Sequence, residues 1–424
     1  MKSDYLSLIK PIVTSARQAA LFTSTLSSQQ KNIVLGHLKD LVEKNKSGIL
    51  EENAKDLAVG RDKRLSSALL DRLELNEKRI QGMIDGIDQV ITLEDPVGEV
   101  LEDYSHPQGM KIHKTRVPIG VIGIIYESRP NVTIDCAILC LKSGNACVLR
   151  GGKEAFYSNN ILIKLVQKAL LKGGLPDSSV QLIPTTDREA MTVLLQQDTY
   201  INCIIPRGGK GLIRYVAENS KIPVIKHYQG VCNAYIDDEV DIDMAKKLVV
   251  NAKCQRPGVC NAIENILVHR SIAPVILPDL TKALQSKQVV LCGDELTISI
   301  LQKQGISCKL ATDQEYLEEF LDLRIAIKVV ASFNDAVDFI HTYGSGHSDM
   351  IVTSNSQTAE AFLNQVDSAT VYWNASTRFT DGFEFGLGAE IGISTDKIHA
   401  RGPMGLRELT TYKYKVYGSG QIRQ

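Results

Sequence analysis

A cysteine a little past the middle of the chain is the first residue with chemistry to offer. Cys260 stands just after Arg256-Pro-Gly258 in a polar, turn-rich stretch, where a side chain can face a cleft while rigid elements on either side hold it. A thiol attacks as its thiolate, so a reactive cysteine needs positive charge or helix-terminal amides close by. Arg256 or a bound cofactor would supply it. The same residue also reads as a small buried hydrophobe leading into the apolar run Ile263–Val268, which is the common state of a free cysteine. Cys254, six residues earlier, has an equal claim on these grounds.

A second kind of chemistry is suggested by repetition. Arg-Gly-Gly-Lys occurs at Arg150–Lys153 and again, after Pro206, at Arg207–Lys210, each time between an apolar run and a helical stretch. Paired glycines let backbone amides approach a ligand, a helix N-terminus carries partial positive charge, and Arg and Lys add donors for phosphate or ribose oxygens. A dinucleotide suits that combination, and a pair of ordinary glycine turns with solvated basic residues is the plainer alternative. Neither segment is a Walker loop or a standard Gly-x-Gly-x-x-Gly turn. Gly120 and Gly123 lie inside a strand pattern, where they permit close packing.

The third segment, Trp373-Asn-Ala-Ser-Thr-Arg-Phe-Thr-Asp381 followed by Gly382–Gly388, gathers hydroxyls, an amide and Arg378 at the end of an apolar run. Arg378 suits a substrate carboxylate gripped at two points, with Ser376 and Thr377 fixing its orientation; a glycine-rich surface loop would look similar. The eight histidines lack His-Glu-x-x-His spacing and the nine cysteines contain no Cys-x-x-Cys pair, so no metal site is expected. His227, His347 and His399 adjoin glycine-containing segments and are further candidates. Cys136, Cys140, Cys147 and Cys203 fall in apolar helix-like or strand-like runs and read as buried thiols.

These residues need a scaffold. The first hundred residues have apolar positions three and four apart, as in Val34, Leu35, Leu38, Leu41 and Val42, and read as a helical lead-in. A basic, β-branched stretch at 111–116 suggests an exposed ribbon. Short apolar runs then alternate with helical stretches: Val117–Ile125, Ala146–Leu149, Val180–Ile183, Ile201–Ile205 and Ile222–Ile225. A second series follows Cys260, at Ile263–Val268, Val289–Leu291, Ile325–Val330, Met350–Val352 and Thr370–Tyr372. Strands alternating with helices imply right-handed crossovers and parallel sheets covered on both faces, with ligands beyond the carboxyl ends of the strands. The stretch Asn251–Asn261 reads as a linker between the two series. The tail from Leu406 onward alternates β-prone residues with lysines and reads as a terminal strand that could pair with another subunit.

Composition narrows the rest. A chain of 424 residues with 48 basic and 49 acidic side chains and 44% hydrophobic residues is an ordinary globular protein of two or three domains. A formal net charge of -1 offers no field for collecting nucleic acid. No apolar run approaches the roughly 20 residues of a membrane helix, and Asp4, Lys10 and Arg17 interrupt any signal-peptide pattern. No nucleic-acid partner, no membrane and a cytoplasmic location are therefore expected.

Taken together, Val117–Val132, Leu141–Asn145, Val148–Lys153, Asn251–Cys260, Asn374–Gly382 and His399–Leu406 closely resemble the gamma-glutamyl phosphate reductases, also called glutamate-5-semialdehyde dehydrogenases, of the aldehyde dehydrogenase superfamily. The resemblance runs over nearly the whole chain in the same order. It implies an α/β, aldehyde-dehydrogenase-like fold of two doubly wound α/β domains plus a small β oligomerisation ribbon. Residues 1–255 would form the NADP-binding domain, with about 100–116 in the ribbon, 256–405 the catalytic domain, and 406–424 the C-terminal ribbon strand.

The implied activity is NADPH-dependent reduction of L-glutamate 5-phosphate to the 5-semialdehyde with release of phosphate, the second step of proline biosynthesis, through a thioester on Cys260. Cys254 becomes a bystander. Asn131 matches the oxyanion-stabilising amide, with the Cys260 backbone amide as second donor. Arg150, Gly151, Gly152 and Lys153 match the segment under the adenosine ribose, where positive charge favours NADPH; Pro206, Arg207, Gly208 and Gly209 match the turn near the pyrophosphate. Glu319 resembles the glutamate on the nicotinamide ribose. Asn374, Ser376, Thr377, Arg378, Phe379 and Arg401 would read the substrate's charged ends, and Arg129 its phosphate. Where hydrolytic relatives carry a general-base glutamate, this chain reads Ile225-Lys-His-Tyr-Gln-Gly230, without a carboxylate, as suits an enzyme that must keep its thioester from water. A homo-oligomer, dimer or tetramer, is implied, and glutamate 5-kinase is a candidate partner. A CoA-acylating aldehyde dehydrogenase and a catalytically silent nucleotide-binding scaffold are the rival readings.

Overall fold

The computed structural model describes residues 2–226 and 229–423, so His227 and the neighbouring Tyr228 lie outside the described residues. The chain forms two compact units. One comprises Met1–Lys226, Gly386–Gly392 and Met404–Gln424; the other comprises His227–Phe385 and Ile393–Pro403.

In the first unit a four-stranded parallel sheet runs in the order Val180–Leu182, Ala146–Arg150, Val121–Tyr126, Cys203–Arg207. Every residue of Val121–Tyr126 and of Ala146–Arg150 is buried, which is why these strands read as unbroken apolar runs. The expected strand Val117–Ile125 is in fact two. Pro118 ends an antiparallel strand, Lys111–Pro118, and the chain turns at Gly120, whose φ of 128° only glycine adopts readily. Gly120 thus makes a turn outside the strands, and both glycines permit close packing: a Cβ would lie 2.4 Å from Asn202 at Gly120 and 2.4 Å from Ile204 at Gly123. The expected strand Ile222–Ile225 is reduced to a single bridge from Val224 to Ile204. Pro223 has no N–H, so the ladder cannot extend through it.

The lead-in consists of the helices Lys2–Thr23, Ser28–Lys44, Lys46–Asp62, Ser67–Leu73 and Glu77–Thr92. Ile9, Val13 and Ala16 of the first helix pack into the sheet's core with Val121, Ala146 and Val148. Ser27 and Gln30 form a capping box on the second helix. The third supplies Asp56, whose carboxylate accepts the N–H groups of Tyr157 and Ser158 at 3.1 and 2.8 Å and the Ser158 hydroxyl at 2.6 Å. That carboxylate caps the helix Phe156–Lys172 that follows the first Arg-Gly-Gly-Lys. Also in this unit, Val100–Ser105, Lys111–Pro118 and Thr410–Tyr417 form a three-stranded antiparallel ribbon with Lys111–Pro118 in the middle. The tail strand pairs along its whole length with Lys111–Pro118 of its own chain and forms one edge of the ribbon. Tyr412, Tyr414 and Tyr417 of the ribbon are exposed.

The second unit is built on seven parallel strands in the order Lys309–Leu310, Val290–Gly293, Arg324–Val330, Ile263–His269, Cys232–Ile236, Ser348–Val352, Thr370–Trp373. The sequence-predicted strands of the second series are all present. Cys232–Ile236, which the pattern does not reveal, joins them, so the chain passes from one unit to the other at 226/227 whereas the sequence reading placed the division at 255/256. Asn251–Asn261 is accordingly not a linker between units. Asn251–Cys254 are the last turn of the helix Ile242–Cys254, and the remainder leads into the central strand Ile263–His269. Among the described residues no helix is long and apolar enough to cross a membrane.

Candidate active site

Cys260 lies half-buried on the turn between that helix and that strand, and the turn is fixed from several sides. Gly230 presses against the Cys260 backbone so closely that a Cβ there would lie 1.9 Å from the Cys260 carbonyl oxygen. The buried Cys232 thiol donates to the same oxygen at 3.2 Å. On the other flank Asn261 is held by the turn Thr377–Phe379 and its neighbour. The Thr377 hydroxyl donates to the Asn261 carbonyl at 2.6 Å, and the Asn261 side-chain amide donates to the Thr380 carbonyl at 2.8 Å. Arg378 donates through Nε to Gln255 at 2.8 Å and through Nη1 to Asn261 Oδ1, spanning the residues on both sides of the nucleophile.

The structure thus brings Ser376, Thr377 and Arg378 to the Cys260 turn. The Ser376 hydroxyl accepts from the Arg378 backbone N–H at 3.3 Å, and Phe379 is half exposed beside them. Burial holds the Arg378 guanidinium below its ordinary pKa, and the nearby positive charge of Arg256 pulls the same way, while Cys260 pulls upward. The remaining N–H groups of Arg378 are thereby set in a cationic corner beside a thiol. Asn374 belongs to the frame: its φ is 54°, and its amide clasps the backbone of Thr353 through bonds of 3.0 and 2.9 Å. Arg401 forks onto Asp367, with Nη1 2.8 Å from the carboxylate and Nη2 2.8 Å from the carbonyl. Lys397 and Arg401 together hold Asp367 below the usual carboxylate range.

Behind the turn sit two charges that nothing in the pattern reveals. Lys253, on the last turn of the helix before Cys260, meets Glu264, on the strand after it, with both side chains fully buried. Burial pushes the Glu264 carboxyl up and Lys253 down, each opposed by the charge of the other. Glu264 also accepts the Leu321 N–H at 3.4 Å, within the loop that carries the half-buried Glu319. Cys254 packs against the apolar core of the unit, and burial raises its thiol pKa, which makes it a poor nucleophile. His347 is buried and bonds Ser348 at 2.8 Å, with its Nδ1 3.8 Å from the Cys232 sulfur. His399 lies in the segment Ile393–Pro403 of the same unit.

In the first unit the sites expected to meet a cofactor gather at the carboxyl ends of the sheet strands. Arg150 closes its strand, is nearly buried, and donates to the Thr186 carbonyl; its Nε has no hydrogen-bond partner. Gly151 and Gly152 follow, leading into a short turn at Lys153–Ala155, with Lys153 exposed. Pro206 and Arg207 end the strand Cys203–Arg207, on the far side of Val121–Tyr126, and Gly208 and Gly209 lead into the helix Lys210–Asn219. The Gly209 N–H is occupied by the Glu127 carboxylate at 2.9 Å, so both Arg-Gly-Gly-Lys helices begin with amides already paired to the protein's own carboxylates. Glu154 similarly accepts the Ser128 N–H and hydroxyl at 2.6 and 2.9 Å. Arg129 and Asn131 lie in the loop between Val121–Tyr126 and the helix Val132–Lys142. The Asn131 amide donates to Asp135 at 2.8 Å. Burial raises that Asp135 carboxyl to about 6, with the Asn131 bond and Arg207 opposing.

One parallel sheet with candidate cofactor residues at its carboxyl ends, and another with a cysteine on a clamped turn at its amino end, fit an aldehyde-dehydrogenase-type oxidoreductase. The sequence profile of the aldehyde dehydrogenase family matches residues 7–297. A gamma-glutamyl phosphate reductase of Moorella thermoacetica is 53% identical over 96% of this chain and 97% of that protein. One of Opitutus terrae is 52% identical over the full length of both. The crystal structure of the Thermotoga maritima gamma-glutamyl phosphate reductase superposes with a TM-score of 0.96 at 43% identity, covering 98% of this chain and 100% of that one. The chain belongs to the aldehyde dehydrogenase family and, within it, to the gamma-glutamyl phosphate reductases.

Proposed function

We propose that this enzyme reduces L-glutamate 5-phosphate to L-glutamate 5-semialdehyde with NADPH, releasing phosphate, in the second step of proline biosynthesis. The observation that carries the reading is Cys260 on a turn gripped by Gly230, Cys232, Asn261 and Arg378, in a chain of this family. Cys260 thiolate attacks the acyl carbon, the bond to the phosphate oxygen breaks, and phosphate departs to leave a thioester. The oxyanion rests on the Cys260 amide and on Asn131. NADPH, when bound, supplies the hydride that takes the thioester to a thiohemiacetal. Cys260 is then expelled as thiolate and the aldehyde is released. The absence of any Asp or Glu from Ile225–Gly230 supports a site that spares the thioester from water.

For the cofactor, the partnerless Nε of buried Arg150 and the exposed Lys153 fit a group bearing hydroxyls and phosphate. Arg150, Gly151, Gly152 and Lys153 would hold the adenosine ribose and its 2′-phosphate, Pro206–Gly209 the pyrophosphate, and Glu319 the nicotinamide ribose. Arg129 is assigned to the substrate phosphate. The Asn374–Phe379 segment and Arg401 are assigned to its amino-acid end, with Arg378 as the main carboxylate contact. The ribbon is assigned to contact between copies in a dimer or tetramer, the location to the cytoplasm, and glutamate 5-kinase to the role of candidate partner.

The deciding experiment runs the reaction backwards. Reduction of NADP by glutamate semialdehyde should require inorganic phosphate; dependence on CoA in its place would make the chain a CoA-acylating enzyme. Arg378→Ala should raise KM for the semialdehyde by about tenfold to a hundredfold and leave KM for NADP nearly unchanged. Equal effects on both would remove Arg378 from the substrate site.

A further inference from the structure

We propose that Cys232 is a positioning residue for the nucleophile: its thiol holds the Cys260 carbonyl and thereby fixes the backbone from which the reactive sulfur and its neighbouring amide project. The inference rests on the reading of Cys260 as nucleophile and goes beyond it by giving the Cys232 thiol an effect on the reaction rate.

The geometry is specific. Cys232 opens the strand Cys232–Ile236, is completely buried, and points its sulfur at the Cys260 carbonyl oxygen 3.2 Å away. Its strand pairs with Ile263–His269, the strand that leaves the nucleophile turn, and the register slips between Cys232 and Asn233. A slip of this kind re-aims a side chain that regular pleating would direct elsewhere. Two residues earlier, Gly230 brings the same stretch of backbone into contact with Cys260. One short segment therefore grips the Cys260 peptide by packing at Gly230 and by a donor at Cys232.

A thiol is suited to this place. Burial pushes its pKa well up, and the negative charge of Asp349 pushes the same way. Cys232 thus stays protonated and keeps its S–H as a donor at working pH, when a reactive cysteine must be ionised. On its far side the sulfur lies 3.8 Å from His347 Nδ1. His347 is bonded to Ser348, and Ser348 donates to the Thr380 hydroxyl at 2.7 Å. Thr380 in turn accepts the Asn261 amide through its carbonyl. The two grips on the Cys260–Asn261 peptide are joined through this buried polar chain, and Cys232 is the member that touches the nucleophile itself.

The test compares Cys232→Ala, which removes the donor, with Cys232→Ser, which keeps one of similar size. Alkylation of Cys260 by iodoacetamide is followed by peptide mass spectrometry across pH, alongside kcat and KM in the phosphate-dependent reverse reaction. Cys232→Ala is expected to slow Cys260 alkylation and lower kcat, each by roughly tenfold, with KM for the semialdehyde unchanged. Cys232→Ser should return both to within about threefold of wild type. Wild-type rates in Cys232→Ala, or a Cys232→Ser variant as impaired as Cys232→Ala, would overturn the proposal, since either result makes position 232 a space-filler. Should substrate fail to protect wild-type Cys260 from alkylation, the nucleophile assignment itself falls, and this inference with it.

Discussion

Cys260→Ser is expected to lose turnover by on the order of 10⁴-fold or more while binding NADPH with nearly unchanged affinity. A serine hydroxyl fills the same space, so the clasp of Gly230 and Arg378 on the turn should survive. What disappears is an attacking atom that ionises near neutral pH. The segment Ile225–Gly230 offers no carboxylate to activate a serine hydroxyl. The leaving step suffers as well, since an alkoxide departs from a hemiacetal far less readily than a thiolate from a thiohemiacetal. The measurement is steady-state turnover of the phosphate-dependent reaction, paired with NADPH fluorescence titration. Activity within a factor of ten of wild type would refute the assignment. So would a glutamyl adduct found on another residue by mass spectrometry.

The second large effect concerns stability. Lys253→Met should cost about 3–5 kcal/mol, the usual penalty for stranding one member of a buried ion pair. Lys253 and Glu264 are both fully buried and in contact, so neither has water to fall back on when its partner goes. Removing both, as in Lys253→Met with Glu264→Leu, should recover most of the loss, because a well-packed apolar pair carries no desolvation penalty. The chain's one tryptophan, Trp373, lies in the same unit, and its fluorescence in urea reports that unit's unfolding directly. If the single and the double variant unfold at the same urea concentration, the pair does not couple as the structure suggests. The pair also joins the helix before the nucleophile to the strand after it, so the single variant should slow Cys260 alkylation under native conditions, and the double variant much less.

Much of this architecture is legible in the amino-acid order because burial on both faces leaves a simple mark. Val121–Tyr126 is apolar throughout, and the apolar stretches Ile266–Val268 and Ile325–Ile327 mark two further strands, so these runs stand out between helical stretches. Cys232–Ile236 escapes for the opposite reason. It contains Asn233, which is buried only because its backbone N–H and its side chain both donate to Asp349 at 2.7 Å, a partner more than a hundred residues away. The same blindness hides Lys253 and Glu264, which look solvated until the fold brings them together. Motif matching could name Cys260 and Arg378, and the structure adds that Arg378 first serves the turn by linking Gln255 to Asn261. It could also name Asn131, but not that its amide reaches one helical turn ahead to Asp135. Short-range spacing carries the residue types, while the partners that orient them are set by contacts across the sheet.

The carboxylate of Asp56 has a practical consequence for anyone wishing to trim the protein. The helical lead-in holds no residue assigned to the reaction, which invites its removal to obtain a minimal reductase. Yet Asp56 satisfies the exposed amides that start the helix Phe156–Lys172, the helix behind the first Arg-Gly-Gly-Lys, and Ile9, Val13 and Ala16 roof the sheet it flanks. A shortened version would expose the underside of its own nucleotide fold, so the smallest working catalyst retains these helices, and engineering for size should begin elsewhere.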